Sequence, residues 1–287
     1  MTELSRFSRI AVIGTGLIGG SFALAARKQL PQAFVLGWDR DRTALDRALR
    51  REAVHDVVDD LATAIHGADL VFIALPVGAT IEVLPAISRA AGPRTLVTDA
   101  GSTKAQICKV AYEHFRGEAR FLGGHPMAGK EQSGVEHATA DLFRSAPYGL
   151  IGSEETPDER VRDFAALVRA CGANPVWCDP ETHDWSVGIV SHLPQLAAIA
   201  LGRVIEDETD ETQFPLALAG QGLQDSLRLA GSPYTTWRDI VLTNTDNISR
   251  ALDRLSQAIE HLRQNLRSKE LEQEFAAANE LYKKLKK

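Results

Sequence analysis

Short apolar runs rich in valine, isoleucine and leucine recur along the first part of the chain, at residues 10–13, 34–38, 70–75, 95–99, 121–123, 148–151 and 175–178. The segments between them carry apolar residues every three or four positions, the period of an amphipathic helix. Strands alternating with helices in this way predict a mostly parallel, doubly wound sheet. After Asp179 and Pro180 the strand pattern stops, and residues 181–287 read as helix throughout, with breaks near 207–213 and 231–233. The pattern predicts an α/β domain over residues 1–180 followed by an all-α domain over residues 181–287.

Within the helical part, Ile248, Leu252, Leu255, Ile259, Leu262 and Leu266 follow one another at spacings of four, three, four, three and four. That is a heptad seam, narrower than the face of an ordinary globular helix, and it requires a partner helix. Packing inside its own domain and a homodimer interface would bury the same stripe, and both stay open here. Residues 185–205 are apolar enough to suggest a membrane span. They contain Ser186, Ser191, His192, Pro194, Gln195 and Arg203, however, which are costly in hydrocarbon. The expectation is a buried core helix carrying a polar site. In the tail, 269–287, Leu271, Phe275, Leu281 and Leu285 are set among acids and bases, which suggests a solvent-flanked helix lying against the body.

Composition narrows the function classes. A chain of 287 residues, 44% hydrophobic and 24% charged, can build a sizeable core. Its formal net charge of −6 argues against nucleic acid or an anionic membrane as the main partner. The first residues are polar and lead straight into a strand without the apolar stretch of a signal peptide, so a cytoplasmic location is expected. Cys108, Cys171 and Cys178 include no C-x-x-C pair and read as reduced packing residues. No zinc-binding spacing and no G-x-S-x-G elbow occurs, so neither metal chemistry nor serine hydrolysis is expected.

The chemistry begins at the first strand. Gly14-Thr-Gly16-Leu17-Ile18-Gly19 lies between a strand pattern and a helical one, the context in which G-x-G-x-x-G holds a dinucleotide. Gly14 permits the tight turn, Gly16 the approach of the pyrophosphate, and Gly19 the close packing of helix on strand, while the helix N-terminus offers N–H groups to the phosphates. Asp39, twenty residues beyond Gly19, ends the second strand where an acid would accept from a ribose diol. This favours NAD over NADP, although Arg40 and Arg42 follow it.

Ligands of open α/β sheets lie beyond the carboxyl ends of the strands. There, Leu75 and Pro76 end one strand under the expected cofactor. Gly101 allows close backbone approach, and Ser102 or Thr103 can cap the next helix or meet the substrate. His125, held between Gly123-Gly124 and Pro126, sits on an extended loop where it could take the proton of a substrate hydroxyl. Glu131 either faces the substrate or stays a surface charge. In the helical part, Pro194 predicts a kink beside Ser191, His192 and Gln195. Arg228, after a glycine-rich turn, suits a bidentate grip on a carboxylate or an ion pair with Asp225. Trp237 reads as core or interface, and His55, His66, His114, His137 and His261 as surface residues.

Taken together, G-T-G-L-I-G-G-S at 14–21, D-A-G-S-T-K at 99–104, G-G-H-P-M-A-G-K-E-Q-S-G at 123–134, H-D at 183–184, S-H-L-P-Q at 191–195 and W-R-D-I at 237–240 resemble the prephenate and arogenate dehydrogenases of tyrosine biosynthesis. The similarity spans nearly the whole chain. It implies a Rossmann-type NAD-binding domain, a helical C-terminal domain that dimerises, and NAD-dependent oxidative decarboxylation of prephenate to 4-hydroxyphenylpyruvate. It further implies that His125 bonds the ring hydroxyl, Ser102 orients that group, Glu131 belongs to the site and Arg228 binds a substrate carboxylate. Many relatives close S-H-L-P with a histidine where this chain has Gln195, and read G-F-R/K-D-F-T-R where it has G-L-Q-D-S-L-R. Arogenate, giving tyrosine directly, is therefore the alternative substrate. A non-catalytic NAD-binding dimer is the alternative class, and would leave Ser102, His125 and Arg228 without a purpose.

Overall fold

The computed structural model describes residues 6–130, 132–212 and 214–286. Strands β1 (Arg9–Ile13), β2 (Phe34–Trp38), β3 (Asp56–Val57), β4 (Leu70–Ile73), β5 (Leu96–Asp99) and β6 (Arg120–Leu122) form one parallel sheet in the order β3-β2-β1-β4-β5-β6. That is the order of a doubly wound dinucleotide fold, with the crossover between β1 and β4 at the switch point. The helices between them are α1 (Leu17–Gln29), α2 (Arg42–Arg50), α3 (Leu61–Ile65), α4 (Val77–Ala90) and α5 (Ala105–His114). They cover both faces, so the central strands have no solvent side: every residue of β4 is buried, as is every residue of β5. Phe22 of α1 stacks on Phe72 of β4 with ring centroids 3.7 Å apart, tying helix to sheet within one of two apolar layers.

The single sheet expected from the strand pattern is in fact two. After β6 the chain enters a separate three-stranded sheet, β7 (Gly124–Pro126), β8 (Pro147–Ile151) and β9 (Asn174–Cys178), with α6 (Glu159–Ala170) between β8 and β9. β7 runs antiparallel to β8, and β9 parallel to it. The two-residue β3 and three-residue β7 are too short for a hydrophobic period to declare them.

From Pro180 the chain is helical: α7 (Pro180–Val187), a π-helical turn at Gly188–His192, α8 (Leu193–Thr209), α9 (Phe214–Ala217), α10 (Gln221–Leu227), a 3₁₀ turn at Arg228–Gly231, α11 (Tyr234–Thr243), α12 (Thr245–Gln264) and α13 (Glu270–Leu285). Two expectations need correction. The stretch 185–205 is not a core helix in the single chain. The helical run Pro180–Thr209 is long and apolar enough to cross a membrane by length and composition alone. It exposes Trp185, Ile189, Val190, Ile199 and Val204 while burying His183, Asp184, His192 and Gln195. Nor do the apolar residues of the tail find the body, since α13 has no buried residue and leaves Phe275, Leu281 and Leu285 exposed. Along the heptad seam of α12 and the turn after it only Ile248 is fully buried and Leu252 and Leu255 are half-buried, whereas Ile259 and Leu266 are 57% and 66% exposed, so among the described residues the C-terminal part of the seam is left uncovered.

Candidate active site

Backbone hydrogen bonds carry the sheet register into the turns beyond its carboxyl ends: Gly14 N–H donates to the Trp38 carbonyl at 2.8 Å, Ala74 to Ile13 at 2.7 Å and Ala100 to Ile73 at 2.8 Å. The turns bearing the glycine motif, Asp39, Leu75-Pro76 and Gly101 thus lie side by side. Gly14 has φ of +94°, and a Cβ there would meet the Ala74 carbonyl oxygen at 2.4 Å, so only glycine fits. At Gly16 a Cβ would meet nothing within 4 Å, which leaves open space over the start of α1. No side chain caps that helix, and the N–H groups of its first turn, Leu17 and Ile18 among them, remain for a ligand. The Asp39 carboxylate accepts from Thr15 N–H at 2.8 Å and Asp41 N–H at 3.0 Å, which fixes it beside the glycine turn. Arg42 is engaged by Asp46 and Asp59, and Arg40 by Glu82. Both cations therefore have carboxylate partners of their own.

A cavity of about 620 Å³ opens next to the turn after β5. It is lined by Ser102 and His125 from the sheet side, by Ser191, His192 and Gln195 from the helical side, and by Arg228 and Trp237. All of these but Trp237 were expected from sequence as site residues, and those six meet in one place although they come from both halves of the chain. Glu131 lies outside the described residues. The surface histidines are all exposed as expected, and His55 also accepts a hydrogen bond from Val35 N–H at 2.9 Å. Trp237 is half-buried rather than core: it lines the cavity, its ring sits edge-on to His192 at 5.7 Å, and its buried indole N–H has no partner among the described residues. A buried donor of this kind calls for an acceptor from a ligand or water.

The arrangement behind His125 was not deduced from the sequence. Its Nδ1 lies 2.9 Å from Nε2 of His183, whose Nδ1 lies 2.8 Å from Oδ1 of Asp184. Oδ1 of Asp184 also accepts from Lys104 N–H at 2.6 Å, and its Oδ2 from Ala105 N–H at 2.9 Å. Ser102 and Thr103 therefore do not cap α5; Asp184 of α7 does so from eighty residues away in sequence. Because the carboxylate can only accept, His183 carries its proton on Nδ1 and offers Nε2 as an acceptor. His125 then donates from Nδ1, and its bare Nε2 is left for the cavity. These tautomers are assigned from the hydrogen-bond network.

Burial, together with His183, Lys104 and His192, holds the His125 pKa well below the usual histidine range, so the ring is neutral near pH 7. His192 is pushed down to about 4, chiefly by burial. Its Nδ1 lies 3.2 Å from Nδ2 of Asn244, an amide donor, so the cavity meets its Nε2–H. The two cavity histidines therefore have opposite characters, one an acceptor and the other a donor. Beneath them, Lys104 is fully buried, paired with Asp99 and donating to the Gly124 carbonyl at 2.8 Å, which locks the β5 turn to the start of β7. Across the two halves, Gly78 N–H donates to Asp239 at 3.0 Å, and the Thr103 and Thr243 hydroxyls lie 2.8 Å apart.

Residues 22–176 match the family model of the prephenate dehydrogenase nucleotide-binding domain, and residues 179–286 that of the prephenate dehydrogenase dimerization domain. The chain is 33% identical over 269 residues to the prephenate dehydrogenase of Bacillus subtilis, covering 93% of this chain and 72% of that one. Its fold is similar to that of the A. aeolicus prephenate dehydrogenase in complex with hydroxyphenyl propionate and NAD+, with a TM-score of 0.85, 27% identity and 99% of both chains covered. It is also similar to Synechocystis arogenate dehydrogenase, with a TM-score of 0.81, 27% identity, and 96% and 99% covered.

Proposed function

The chain belongs to the prephenate dehydrogenase family, and from that premise we propose that it oxidises and decarboxylates prephenate to 4-hydroxyphenylpyruvate with NAD+. The observation that carries this reading is the neutral, buried His125, with its proton held on Nδ1 and its Nε2 bare toward a cavity that Arg228 also lines. NAD+, when bound over the Gly14–Gly19 turn with its ribose at Asp39, supplies the hydride acceptor. His125 takes the proton of the ring hydroxyl as the C–H bond breaks, and Ser102 orients that hydroxyl. His192 and the indole of Trp237 donate to the substrate's oxygens, and Arg228 holds a carboxylate through its planar fork. Ser191 and Gln195 complete the lining. Loss of carbon dioxide then makes the ring aromatic, so the protein's task is orientation and charge placement rather than bond activation.

One observation favours the alternative substrate. The Gln195 amide nitrogen donates to the Leu229 carbonyl at 2.8 Å, which leaves the amide oxygen as an acceptor for an ammonium, the group that distinguishes arogenate from prephenate. We read residues 1–180 as the nucleotide-binding unit and 181–287 as the substrate and dimerisation unit. The homodimer is supported by the exposed seam of α12, and a cytoplasmic site of action by the relatives' biosynthetic role.

The test is the initial rate of NADH formation with prephenate and with arogenate in parallel, each repeated with NADP+. Turnover of either substrate with NAD+ is expected, and silence on both with intact NAD+ binding would overturn the reading. His125→Asn should lower kcat by about 10²- to 10⁴-fold with NAD+ affinity unchanged; a variant turning over at the parent rate would remove His125 as the base.

A further inference from the structure

His183 and Asp184 touch neither the open cavity nor the glycine turn, yet both are buried, at 5% and 3% exposure, and both lie in line behind the proposed base. The line crosses the two halves of the chain: His125 stands on β7 and His183 with Asp184 on α7, and the carboxylate is pinned by two N–H groups at the start of α5. Each link has hydrogen-bond length, and each donor meets an acceptor. An unpassable support would need only one polar contact to hold the His125 ring. Here a second titratable ring has been placed between the base and a carboxylate.

Resting on the functional reading above, we propose that His183 and Asp184 are positioning residues that make His125 the head of a proton relay, storing the hydroxyl proton during oxidation and returning it after decarboxylation. In the first step the substrate O–H proton passes to His125 Nε2, the Nδ1 proton of His125 passes to His183 Nε2, and the hydroxyl carbon gives its hydride to NAD+ as the C=O bond forms. The added positive charge then resides on His183, in contact with Asp184, instead of on His125 facing Lys104 and His192. In the second step the bond to the departing carboxylate breaks, its electron pair enters the ring and the carbonyl becomes a phenolate oxygen. The two proton transfers reverse, and the phenol is formed. No proton is consumed or released overall, so the chain needs no exit to solvent.

The titratable groups packed around the relay are Lys104, paired with Asp99 in the turn between β5 and α5, and His192 from the π turn, both acting on His125, together with Cys108 of α5 and Cys178 of β9 near Asp184. Burial raises the pKa of both thiols, so they stay protonated beside the carboxylate.

Two measurements test the relay. Nitrogen-15 NMR of the histidines in the substrate-free protein should find His125 and His183 both protonated at Nδ1, and a His125 protonated at Nε2 would overturn the proposal without reference to turnover. His183→Gln keeps an acceptor for His125 but cannot bind a proton. Its kcat should fall about tenfold or more, with the KM for substrate and the affinity for NAD+ within about twofold of the parent. A His183→Gln enzyme with parental kcat would reduce His183 to a structural support. If the parent protein turns over neither prephenate nor arogenate, the functional reading fails instead, and the NMR result alone decides whether the hydrogen-bonded chain exists.

Discussion

An imidazole acts as a base only through a nitrogen that carries no proton, and His125 satisfies this because its other nitrogen is committed to His183. His192 is the converse: the Asn244 amide donates to its Nδ1, so it offers an N–H to the cavity. Its depressed pKa has a consequence for stability. A histidine near 6.5 in the unfolded chain and about 4 in the native one favours the native state above pH 6.5 relative to acid. That share of stability is lost as pH falls from 6.5 toward 4, and amounts to about 3 kcal/mol at most. Urea unfolding at both ends of that window should show a smaller acid loss in His192→Gln than in the parent. Arg228→Ala should raise the KM for substrate roughly 10- to 100-fold, the worth of a charge-assisted hydrogen bond, with kcat much less affected; an unchanged KM would take Arg228 out of substrate binding. The glycine turn, Asp39, His125 and Arg228 were legible in the sequence because each stands in a local motif. The pairing of His125 with His183 was not, since 58 residues and the step from a strand of the second sheet to the first helix of the helical part separate them, and no local period records such a meeting.

At the scale of elements, Pro194 predicted a kink, but the irregularity is the π turn just before it. Proline is at ease at the first turn of a helix, where its missing N–H is not needed, and α8 restarts there. Leu193 N–H donates to the Gly188 carbonyl, five residues back, so the turn holds one residue more than an α-helical turn. Upstream of it α7 presents His183 and Asp184 to the start of α5; the turn's last two residues, Ser191 and His192, and Gln195 beyond it face the cavity. Deleting Val190 would restore regular winding and turn the downstream residues by about 100°. The expected result is a folded protein that binds NAD+ but has lost more than about 10²-fold in kcat/KM for substrate, measured by cofactor titration and initial rates. Apart from the short β3 and β7, the alternation of strands and helices was readable over the first half of the chain, because buried strands declare themselves by unbroken apolar runs. The split into two sheets was not, because both sheets draw on the same kind of run.

The whole molecule is uneven. Its first half buries a continuous core, whereas α9, α10, the 3₁₀ turn bearing Arg228, and α13 contain no buried residue. Exposed Phe214, Leu218, Ile259, Leu266 and Phe275 accompany them, large apolar side chains of the kind that a partner surface covers. Leu262→Lys, placed in the middle of the seam, should convert a dimer into a monomer in analytical ultracentrifugation; a monomeric parent would refute the dimer. The lack of buried residues around Arg228 has a thermodynamic corollary. If the segment proposed to hold substrate is ordered by a second copy of the chain, substrate binding and subunit association share one free energy of coupling, and that coupling must be reciprocal. Whatever factor association adds to substrate affinity, saturating substrate must add to the affinity of one subunit for the other.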